Sequence, residues 1–413
     1  MLPLREGEAL RAAPARLNGT AYTLLAAVLL MCLYGMVMIF SASSGAALER
    51  YGSSYYFLLR QALWFTAGLA ALAVLARMDY RRLVQLSPLL LSLSLVGLVA
   101  VLLFGDLVYG SRRSLNFGPL VIQPSELTKL SLLLFAVYHY GRRNERPESW
   151  KEIAVPVLVV TGLASLLIIM EPDLGSMLIV ALSAFVVLYL SGAPLRKVLS
   201  LALSGMGLTL LFIVVSPYRR ARFLAFLDPW SAPREGGFHV IQSMLALGSG
   251  RLTGLGLGMS RQKFFYLPNA HTDFIFSIIG EELGLAGTLT VVLLLSLFVY
   301  LGLRIARRTP DRSGRMLAAG IVCVIGTQAV VNMGAATGVL PITGVTLPFF
   351  SYGGSSLVIS LCMTGILLSV SRWGGKRAAG SKRRSSREDS HMRGRDRRSP
   401  ASLAGSGRRA RIA

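Results

Sequence analysis

Four side chains capable of acid–base chemistry lie within one stretch of the sequence, YLPNAHTDFIFSIIGEELG at residues 266–284. They are His271, Asp273, Glu281 and Glu282. A carboxylate acts as a general base when it reaches the proton that it removes and when its surroundings tune its pKa. Asp273 and Glu281 are eight residues apart, roughly 12 Å along a helix, whereas carboxylates that flank one bond lie roughly 5–10 Å apart. We therefore expect Asp273 to act alone or with groups from other helices.

The other three side chains of this stretch have competing interpretations. Glu281 and Glu282 fall inside an apolar segment, beside glycines that permit close helix contacts. We expect both glutamates to be buried partners of polar or basic groups. His271 could tune Asp273, contact a substrate, or lie at the membrane interface with its hydrogen bonds satisfied.

The apolar character of the whole chain predicts the elements that must position these groups. Of the 413 residues, 53% are hydrophobic, and several nearly uncharged runs reach the roughly 20 residues that cross a bilayer. The sequence predicts an all-α, polytopic membrane bundle of about ten transmembrane helices. The predicted spans are residues 20–41, 55–76, 84–105, 124–140, 153–170, 173–191, 197–216, 272–303, 316–338 and 352–371. Pro172 separates the fifth span from the sixth, because proline ends a helix and its two flanking carboxylates are costly at mid-bilayer.

Basic residues on alternate connections predict the orientation of these spans. They are Arg5, Arg11 and Arg16, then Arg77, Arg81 and Arg82, then Arg142, Arg143 and Arg146, then Arg196 and Lys197, and finally Arg304, Arg307, Arg308, Arg312 and Arg315. Both termini are therefore expected in the cytoplasm, and the first span is expected to be a retained anchor. The predicted organisation is a cytoplasmic segment at 1–19, a transmembrane domain at 20–372 and a basic disordered tail at 373–413.

The connection between the seventh and eighth spans, residues 217–271, is a large predicted extracytoplasmic loop that departs from this charge pattern. Its basic residues are Arg219, Arg220, Arg222, Arg234, Arg251, Arg261 and Lys263. Long loops cross the membrane largely regardless of charge, so the predicted topology stands. The charges indicate either an anionic partner outside the membrane or side chains that reach lipid phosphates.

Polar residues at the ends of other spans fall on the same predicted outer side as Asp273. Ser125, Glu126 and Lys129 open the fourth span after a proline, where the helix dipole favours an anion. Glu171 and Asp173 lie between the fifth and sixth spans. Intramembrane ionisable residues are functional candidates, although Glu126 and Lys129 could form a structural ion pair and Glu171 could pair with a loop arginine. The convergence predicts a site that faces the exterior.

The basic tail and the cysteines do not indicate a separate function. Residues 373–413 mix Lys and Arg with Ser and Gly, and we interpret them as a tail held against anionic lipid rather than as a nucleic-acid-binding segment. Cys32, Cys323 and Cys362 all lie inside predicted spans, so neither a disulfide framework nor a metal motif is indicated. A divalent cation such as magnesium or manganese could still assist the site, but no cluster of ligands requires one.

Several sequence motifs, spread over most of residues 20–372, occur in the order and at the spacing typical of one protein family. They are QPSELTK, EPDLG, DPW at 228–230, IQSMLALGSG at 241–250, GLGLGMSRQKFFYLPNAHTDFIFSIIGEELG at 254–284 and LPITGVTLPFFSYGGSS at 340–356. Together they resemble the signatures of the SEDS family, the shape, elongation, division and sporulation proteins that include FtsW, RodA and SpoVE. SRQKFFYLP is most similar to the FtsW and SpoVE branch.

The resemblance implies a peptidoglycan glycosyltransferase of cell division or sporulation with ten membrane helices and a large extracytoplasmic loop. In that family, lipid II is joined into a growing glycan strand, usually beside a class B penicillin-binding protein and other divisome-type membrane proteins. Asp273, in the HTDF motif, would be the general base. It would take the proton from the acceptor GlcNAc 4-hydroxyl, which displaces polyprenyl pyrophosphate from the donor MurNAc with inversion.

The other candidate residues would contact the substrate. Positive charge would stabilise the leaving pyrophosphate. The cations available for this are Arg219, Arg220, Arg261 and Lys263, and the remaining predicted substrate contacts are His271, Ser125, Glu126, Lys129, Glu171 and Asp173. Three departures from the family pattern affect predicted loop contacts: Ser114 in place of Trp, Asn269 in place of Glu, and the segment APREGGFHVIQS at 232–243.

Two rival functions remain open from the sequence. One is a lipid II flippase or transporter, which predicts polar residues through the full depth of the bilayer, whereas the cytoplasmic half of the spans is nearly bare of them. The other is a non-catalytic scaffold that activates the penicillin-binding protein, which predicts that Asp273→Ala preserves function.

Overall fold

Helices occupy all ten positions at which the sequence predicted a membrane span. The computed structural model describes residues 17–108, 111–118, 120–141, 150–215, 217–231, 233–234, 236–264 and 266–373. The first seven helices are α1 (Gly19–Tyr51), α2 (Tyr56–Arg77), α3 (Tyr80–Phe104), α4 (Pro124–Gly141), α5 (Trp150–Met170), α6 (Leu174–Leu190) and α7 (Leu195–Val215). Two shorter helices follow in the large loop, α8 (Pro217–Leu227) and α9 (Phe238–Ser249). The last three are α10 (Ile275–Arg308), α11 (Arg312–Ala336) and α12 (Gly354–Trp373).

The lengths and compositions of these helices fit a protein that crosses a membrane many times. Within the described residues, seven helices are long and apolar enough to span a bilayer, namely α1, α2, α3, α7, α10, α11 and α12. α5 and α6 contribute shorter apolar helices, and α4 lies inside the bundle with most of its side chains buried. The predicted all-α, polytopic membrane fold is confirmed.

The N-termini of α4, α6, α10 and α12 lie at one end of the bundle, which we call the site end. The side chain of Gln123 lies 3.4 Å from Asp173, the N-cap of α6, and the backbone N–H of Gln123 donates to Ser355 of α12 at 3.1 Å. α12 also packs along α2, α3 along α4, and α10 against both α1 and α11. The apolar core between these helices includes fully buried Leu132 and Phe298.

α1 extends ten residues beyond the predicted end of the first span. The predicted span ends where Ser43 and Ser44 follow residue 41, but these hydroxyls bond to the helix itself: Ser43 donates to the carbonyl of Ile39 at 2.7 Å. The helix ends at Gly52, which adopts φ 70°. With 33 residues, α1 is about 50 Å long, compared with a hydrocarbon core of about 30 Å.

Two small hairpins connect α3 to α4, and the sequence did not predict them. β1 (Leu107–Val108) pairs with β2 (Ser111–Arg112), and β3 (Leu115–Phe117) pairs with β4 (Leu120–Ile122). Strands of two or three residues are too short to show the alternation by which strands are recognised. β4 leads directly into the first turn of α4.

The large loop joins α10 through a break in that helix. Gly284 adopts φ 66° and ψ −158°, a conformation that favours glycine. At this break, the backbone carbonyls of Glu281 and Glu282 accept hydrogen bonds from the N–H groups of the loop residues Leu255 and Gly256, each at 2.9 Å. The N–H of Leu285, beyond the break, donates to the loop carbonyl of Arg251 at 2.9 Å. The loop and the helix therefore satisfy each other's backbone groups at the break.

Some sequence predictions fall on residues that the structure does not describe. These residues are 1–16 of the predicted N-terminal segment, the connection at 142–149 and the basic tail from 374 to 413.

Candidate active site

Asp273 lies in a tight turn immediately before α10, at the site end. The carbonyl of Asn269 accepts hydrogen bonds from the backbone N–H groups of Asp273 at 3.1 Å and Phe274 at 3.3 Å. Asn269 adopts φ 56°, a left-handed conformation that asparagine tolerates. Phe274 is 1% exposed and anchors the turn, while Asp273 stays partly exposed.

Two backbone contacts hold this turn from neighbouring elements. On α11, Nδ2 of Asn332 donates to the carbonyl of Asp273 at 2.8 Å and to that of Val345 at 2.7 Å. Before α12, the N–H of Tyr352 donates to the carbonyl of His271 at 2.9 Å. Asn332 was not predicted as a site residue, although the amides of an apolar span, here Gln328 and Asn332, are polar groups that need partners.

Arg113 is a cation that lies near Asp273 beside Gly344, and it was not predicted as a site residue. A Cβ added at Gly344 would lie 2.8 Å from Arg113 Nη1 and 3.8 Å from Asp273 Oδ2. The guanidinium and the carboxylate thus approach the same glycine. Nη2 of Arg113 donates to the carbonyl of Pro172 at 2.5 Å, whereas its Nε is buried without a hydrogen-bond partner in the described part of the chain.

Glu171 is fully buried in the turn between α5 and α6. Among the described residues, neither of its carboxylate oxygens has a hydrogen-bond partner. Burial raises the pKa of Glu171 to about 8, the carboxylate of Asp173 adds to the rise, and Arg113 opposes it. The side chain is therefore mainly protonated at neutral pH, so Glu171 itself neutralises little of the charge of Arg113.

Asp173 caps a helix. Its Oδ1 accepts the backbone N–H of Ser176 at 3.0 Å, which satisfies the first turn of α6. Its Oδ2 lies 3.4 Å from Nε2 of Gln123. Because Asp173 is only 1% exposed, it offers a substrate no open face in this structure.

Glu126 and Lys129 form the structural ion pair that the sequence left open as the alternative to substrate contact, and both side chains are buried. Nζ of Lys129 lies 2.7 Å from Oε2 of Glu126 and donates to Oε1 of Gln328 on α11 at 2.9 Å. Nε2 of Gln328 then donates to the carbonyl of Thr346 at 3.1 Å. Ser125, which precedes the pair, is fully buried, and its Oγ has no partner in the described part of the chain.

Lys263 is not the exposed cation that the sequence predicted. It is 7% exposed, and its Nζ lies 3.0 Å from Oε1 of Glu282 and 2.7 Å from the carbonyl of Gly258. Ser41 of α1 donates to Glu282 as well. The ammonium of Lys263 is therefore paired inside the protein, because the loop folds against α10.

Glu281 fixes the neighbouring part of the loop. Its carboxylate accepts from Oγ of Ser260 at 2.5 Å and from the backbone N–H of Arg261 at 2.9 Å. The expectation that Glu281 and Glu282 are buried partners of polar or basic groups is confirmed.

The loop arginines and His271 have different settings. The side chains of Arg220, on α8, and Arg261 are exposed, and the backbone of Arg219 belongs to α8. The ring of His271 packs 4.5 Å from the ring of Phe57, measured between centroids. Burial lowers the pKa of His271 to about 4, so the imidazole is neutral at pH 7.

The described residues contain no group of three or more His, Cys, Asp or Glu side chains that could hold a metal ion. The divalent cation considered from the sequence therefore stays a prediction.

These features define a class: a polytopic helical membrane protein with an acid and a cation together at one end of the bundle. The family model for FtsW, RodA and SpoVE, described as "Cell cycle protein", matches residues 22–374. The chain belongs to this family, as its motifs predicted.

Individual relatives agree with this assignment. The chain is 41% identical to the probable peptidoglycan glycosyltransferase FtsW of Geobacter metallireducens, over 84% of this chain and 93% of that protein. It is 39% identical to stage V sporulation protein E of Bacillus subtilis, over 84% of this chain and 95% of that protein.

Solved structures show the same fold. A chain from a study entitled "Structural coordination of polymerization and crosslinking by a peptidoglycan synthase complex" matches with a TM-score of 0.71 and 32% identity, covering 86% of this chain and 98% of that one. The rod shape determining protein RodA of Thermus thermophilus matches with a TM-score of 0.65 and 30% identity, covering 86% and 97%.

Proposed function

We propose that this chain is a peptidoglycan glycosyltransferase that polymerises lipid II into glycan strands during cell division or sporulation. The names of its FtsW relatives support the reaction. The observation that carries the assignment of the site is the approach of Asp273 and Arg113 to Gly344. A partly exposed carboxylate beside a cation suits a reaction that removes a proton and releases an anion.

In this mechanism Asp273 is the general base. Its carboxylate takes the proton of the acceptor GlcNAc 4-hydroxyl, and the oxygen attacks the anomeric carbon of the donor MurNAc. The bond from that carbon to the pyrophosphate oxygen breaks, and polyprenyl pyrophosphate leaves with the electron pair. A single direct displacement inverts the anomeric centre.

Arg113 supplies positive charge for the leaving pyrophosphate. Charge-assisted hydrogen bonds from a guanidinium to phosphate oxygens are strong, and Glu171, being mainly protonated, competes little for that charge. We keep exposed Arg220 and Arg261 as outer contacts for the anionic substrate, with Arg219 on the same helix as Arg220. The divalent cation considered from the sequence is tested by adding EDTA to the polymerisation assay and then restoring magnesium or manganese.

The proposal places the protein in the cytoplasmic membrane with both termini in the cytoplasm and the site end at the outer face. The basic residues on alternate connections support this orientation. The structural similarity to a chain of a peptidoglycan synthase complex supports a penicillin-binding protein as the partner.

The test is polymerisation of lipid II by the purified full chain with its partner transpeptidase. We expect glycan polymer from the wild type, none from Asp273→Ala or Asp273→Asn, and a normal yield from Glu49→Gln, which removes an exposed acid at the end of α1. Absence of product from the wild type, or undiminished product from Asp273→Ala, contradicts the proposal.

The same preparation separates the rival functions. A transporter moves labelled lipid II across vesicles without making polymer. A scaffold stimulates crosslinking by the transpeptidase equally well with Asp273→Ala.

A further inference from the structure

The connection between α11 and α12 has to be held in place by something other than a regular ladder of backbone hydrogen bonds. Residues 341–347 form neither helix nor strand, yet Gly344 lies where Asp273 and Arg113 approach each other. Each backbone carbonyl of such a segment needs a partner when it is buried. The source of those partners decides which residues control the geometry at Asp273.

Two amide side chains on α11 supply them. Asn332 donates to the carbonyl of Val345 at 2.7 Å, and Gln328 donates to the carbonyl of Thr346 at 3.1 Å. The amides are four residues apart, so they lie on one face of the helix. They are 2% and 3% exposed, which excludes water as a ready substitute.

Asn332 does more than hold this connection, because its Nδ2 also donates to the carbonyl of Asp273 at 2.8 Å. One amide nitrogen therefore joins the turn that carries Asp273 to the segment that carries Gly344. Both N–H groups of the amide are used in this way, and both acceptors are main-chain carbonyls. Through this bond Asn332 fixes the backbone of Asp273 and does not use its carboxylate.

Gln328 supports the arrangement from the other side. Its Oε1 accepts from Lys129, which is paired with Glu126 at 2.7 Å. This contact sets which end of the amide is nitrogen and directs Nε2 towards Thr346. The buried ion pair of α4 is thus connected through Gln328 to the segment beside the site.

We propose that Asn332 is a positioning residue for Asp273 and that Gln328 supports it. Together the two side chains form an amide clamp that fixes the position of Asp273 relative to Gly344. This rests on the proposed function, in which Asp273 is the base. Displacement of a reacting group by about 1 Å can cost about 10²-fold in rate. Loss of the clamp should therefore act on the chemical step more than on substrate binding.

The test compares Asn332→Leu and Asn332→Asp with the wild type in lipid II polymerisation, using the full chain with its partner transpeptidase. Both variants keep the number and branching of the side-chain heavy atoms of Asn332 but remove its N–H donors. We expect kcat to fall by about 10²-fold, with KM changed much less. We also expect the acidic limb of the pH–rate profile to move, because the carboxylate changes its distance from Arg113. Asn332→Gln, which retains the donors, should recover part of the activity lost in Asn332→Leu.

The matched control is Gln61→Leu, which removes another buried amide that holds the same connection. Gln61 is 1% exposed, donates to the carbonyl of Ser351 at 3.2 Å and accepts the N–H of Gly353 at 3.3 Å. It reaches the connection beyond Gly344 and bonds no backbone group of Asp273. We expect a loss of thermal stability similar to that of Asn332→Leu but a much smaller loss of kcat.

Two results overturn the clamp. One is a folded Asn332→Leu or Asn332→Asp protein with kcat within threefold of the wild type and an unchanged pH profile, while Asp273→Ala is inactive. The other is a loss of kcat in Gln61→Leu as large as that in Asn332→Leu. If Asp273→Ala also retains activity, the proposed function fails instead, so the two failures are distinguishable. If Asn332→Leu does not fold, the kcat of Asn332→Asp compared with that of Asn332→Gln decides the matter.

Discussion

Nζ of Lys263 lies 3.0 Å from Oε1 of Glu282, and both side chains are buried. Lys263 belongs to the large loop and Glu282 to α10. The hydroxyl of Ser41 on α1 donates its proton to the carboxylate of Glu282, with Oγ 2.8 and 2.6 Å from the two carboxylate oxygens. The pair therefore ties the loop to two membrane helices at one point.

Removal of either charge is expected to destabilise the protein. Glu282→Gln leaves the buried ammonium of Lys263 without a counter-charge, and such a loss costs about 3–5 kcal/mol. Replacing both residues, as in Lys263→Met with Glu282→Leu, should recover most of the loss, because no buried charge is then uncompensated. Thermal unfolding of the purified variants measures this. A double variant as unstable as Glu282→Gln would contradict it.

Two neighbouring glycines should respond oppositely to alanine. A Cβ at Gly250 would lie 1.8 Å from the backbone carbonyl oxygen of Gly280, whereas a Cβ at Gly248 meets nothing within 4 Å. Gly250→Ala should therefore undock the loop from α10, giving a lower melting temperature and faster trypsin cleavage at Arg251 and Arg261. Gly248 lies in α9, so Gly248→Ala should be neutral or should stabilise the protein by about 1 kcal/mol. Equal effects of the two substitutions would contradict the docking.

The buried carboxyl of Glu171 predicts a specific dependence of stability on pH. Its pKa is raised from 4.5 to about 8, so the folded state binds the proton more tightly than the unfolded state. The free energy of unfolding should then fall as the pH rises towards 8. His271, whose pKa is lowered from 6.5 to about 4, has the opposite effect below pH 6.5, so the clean window is pH 6.5 to 8.

Glu171→Gln should remove the fall in stability across that window. The melting temperature of the variant relative to the wild type is therefore expected to be higher at pH 8.5 than at pH 6.5. Parallel curves for the two proteins would show that the carboxyl is ionised in the folded state throughout.

Arg113 should matter more to catalysis than the exposed loop arginine. Arg113→Gln is expected to lower kcat by about 10²-fold, the usual effect of removing one donor that stabilises developing negative charge. Arg113→Lys should retain part of the activity, because it keeps the charge but loses the planar fork. Arg261→Gln is the comparison, because Arg261 is exposed and only an outer substrate contact in the proposal, so its loss should lower kcat less. A larger effect at Arg261 would favour the loop cations predicted from the sequence.

The membrane spans could be predicted because each is a long apolar run, which has few alternative structures in a bilayer. The end of α1 could not, because serine hydroxyls bond back to their own helix, as Ser43 does with Ile39. The hairpins at 107–122 were missed because their strands have only two or three residues. In each case the deciding contacts are local but leave no periodic pattern.

The site was predictable only in part. Asp273 was found from its motif and its place before an apolar run. Arg113 and Asn332 were missed because their roles depend on contacts between elements that are distant in the sequence. Lys263 was assigned wrongly to the surface, since a basic residue in a polar loop gives no sign that its loop folds against buried Glu282.

The break in α10 has a consequence for protein engineering. Because residues 251–256 and 281–285 exchange backbone hydrogen bonds across Gly284, neither segment forms a complete structure without the other. The loop cannot be transplanted as a cassette bounded by α7 and the start of α10. A chimera between two relatives should take its crossover after residue 286, so that the loop and the first third of α10 come from the same parent.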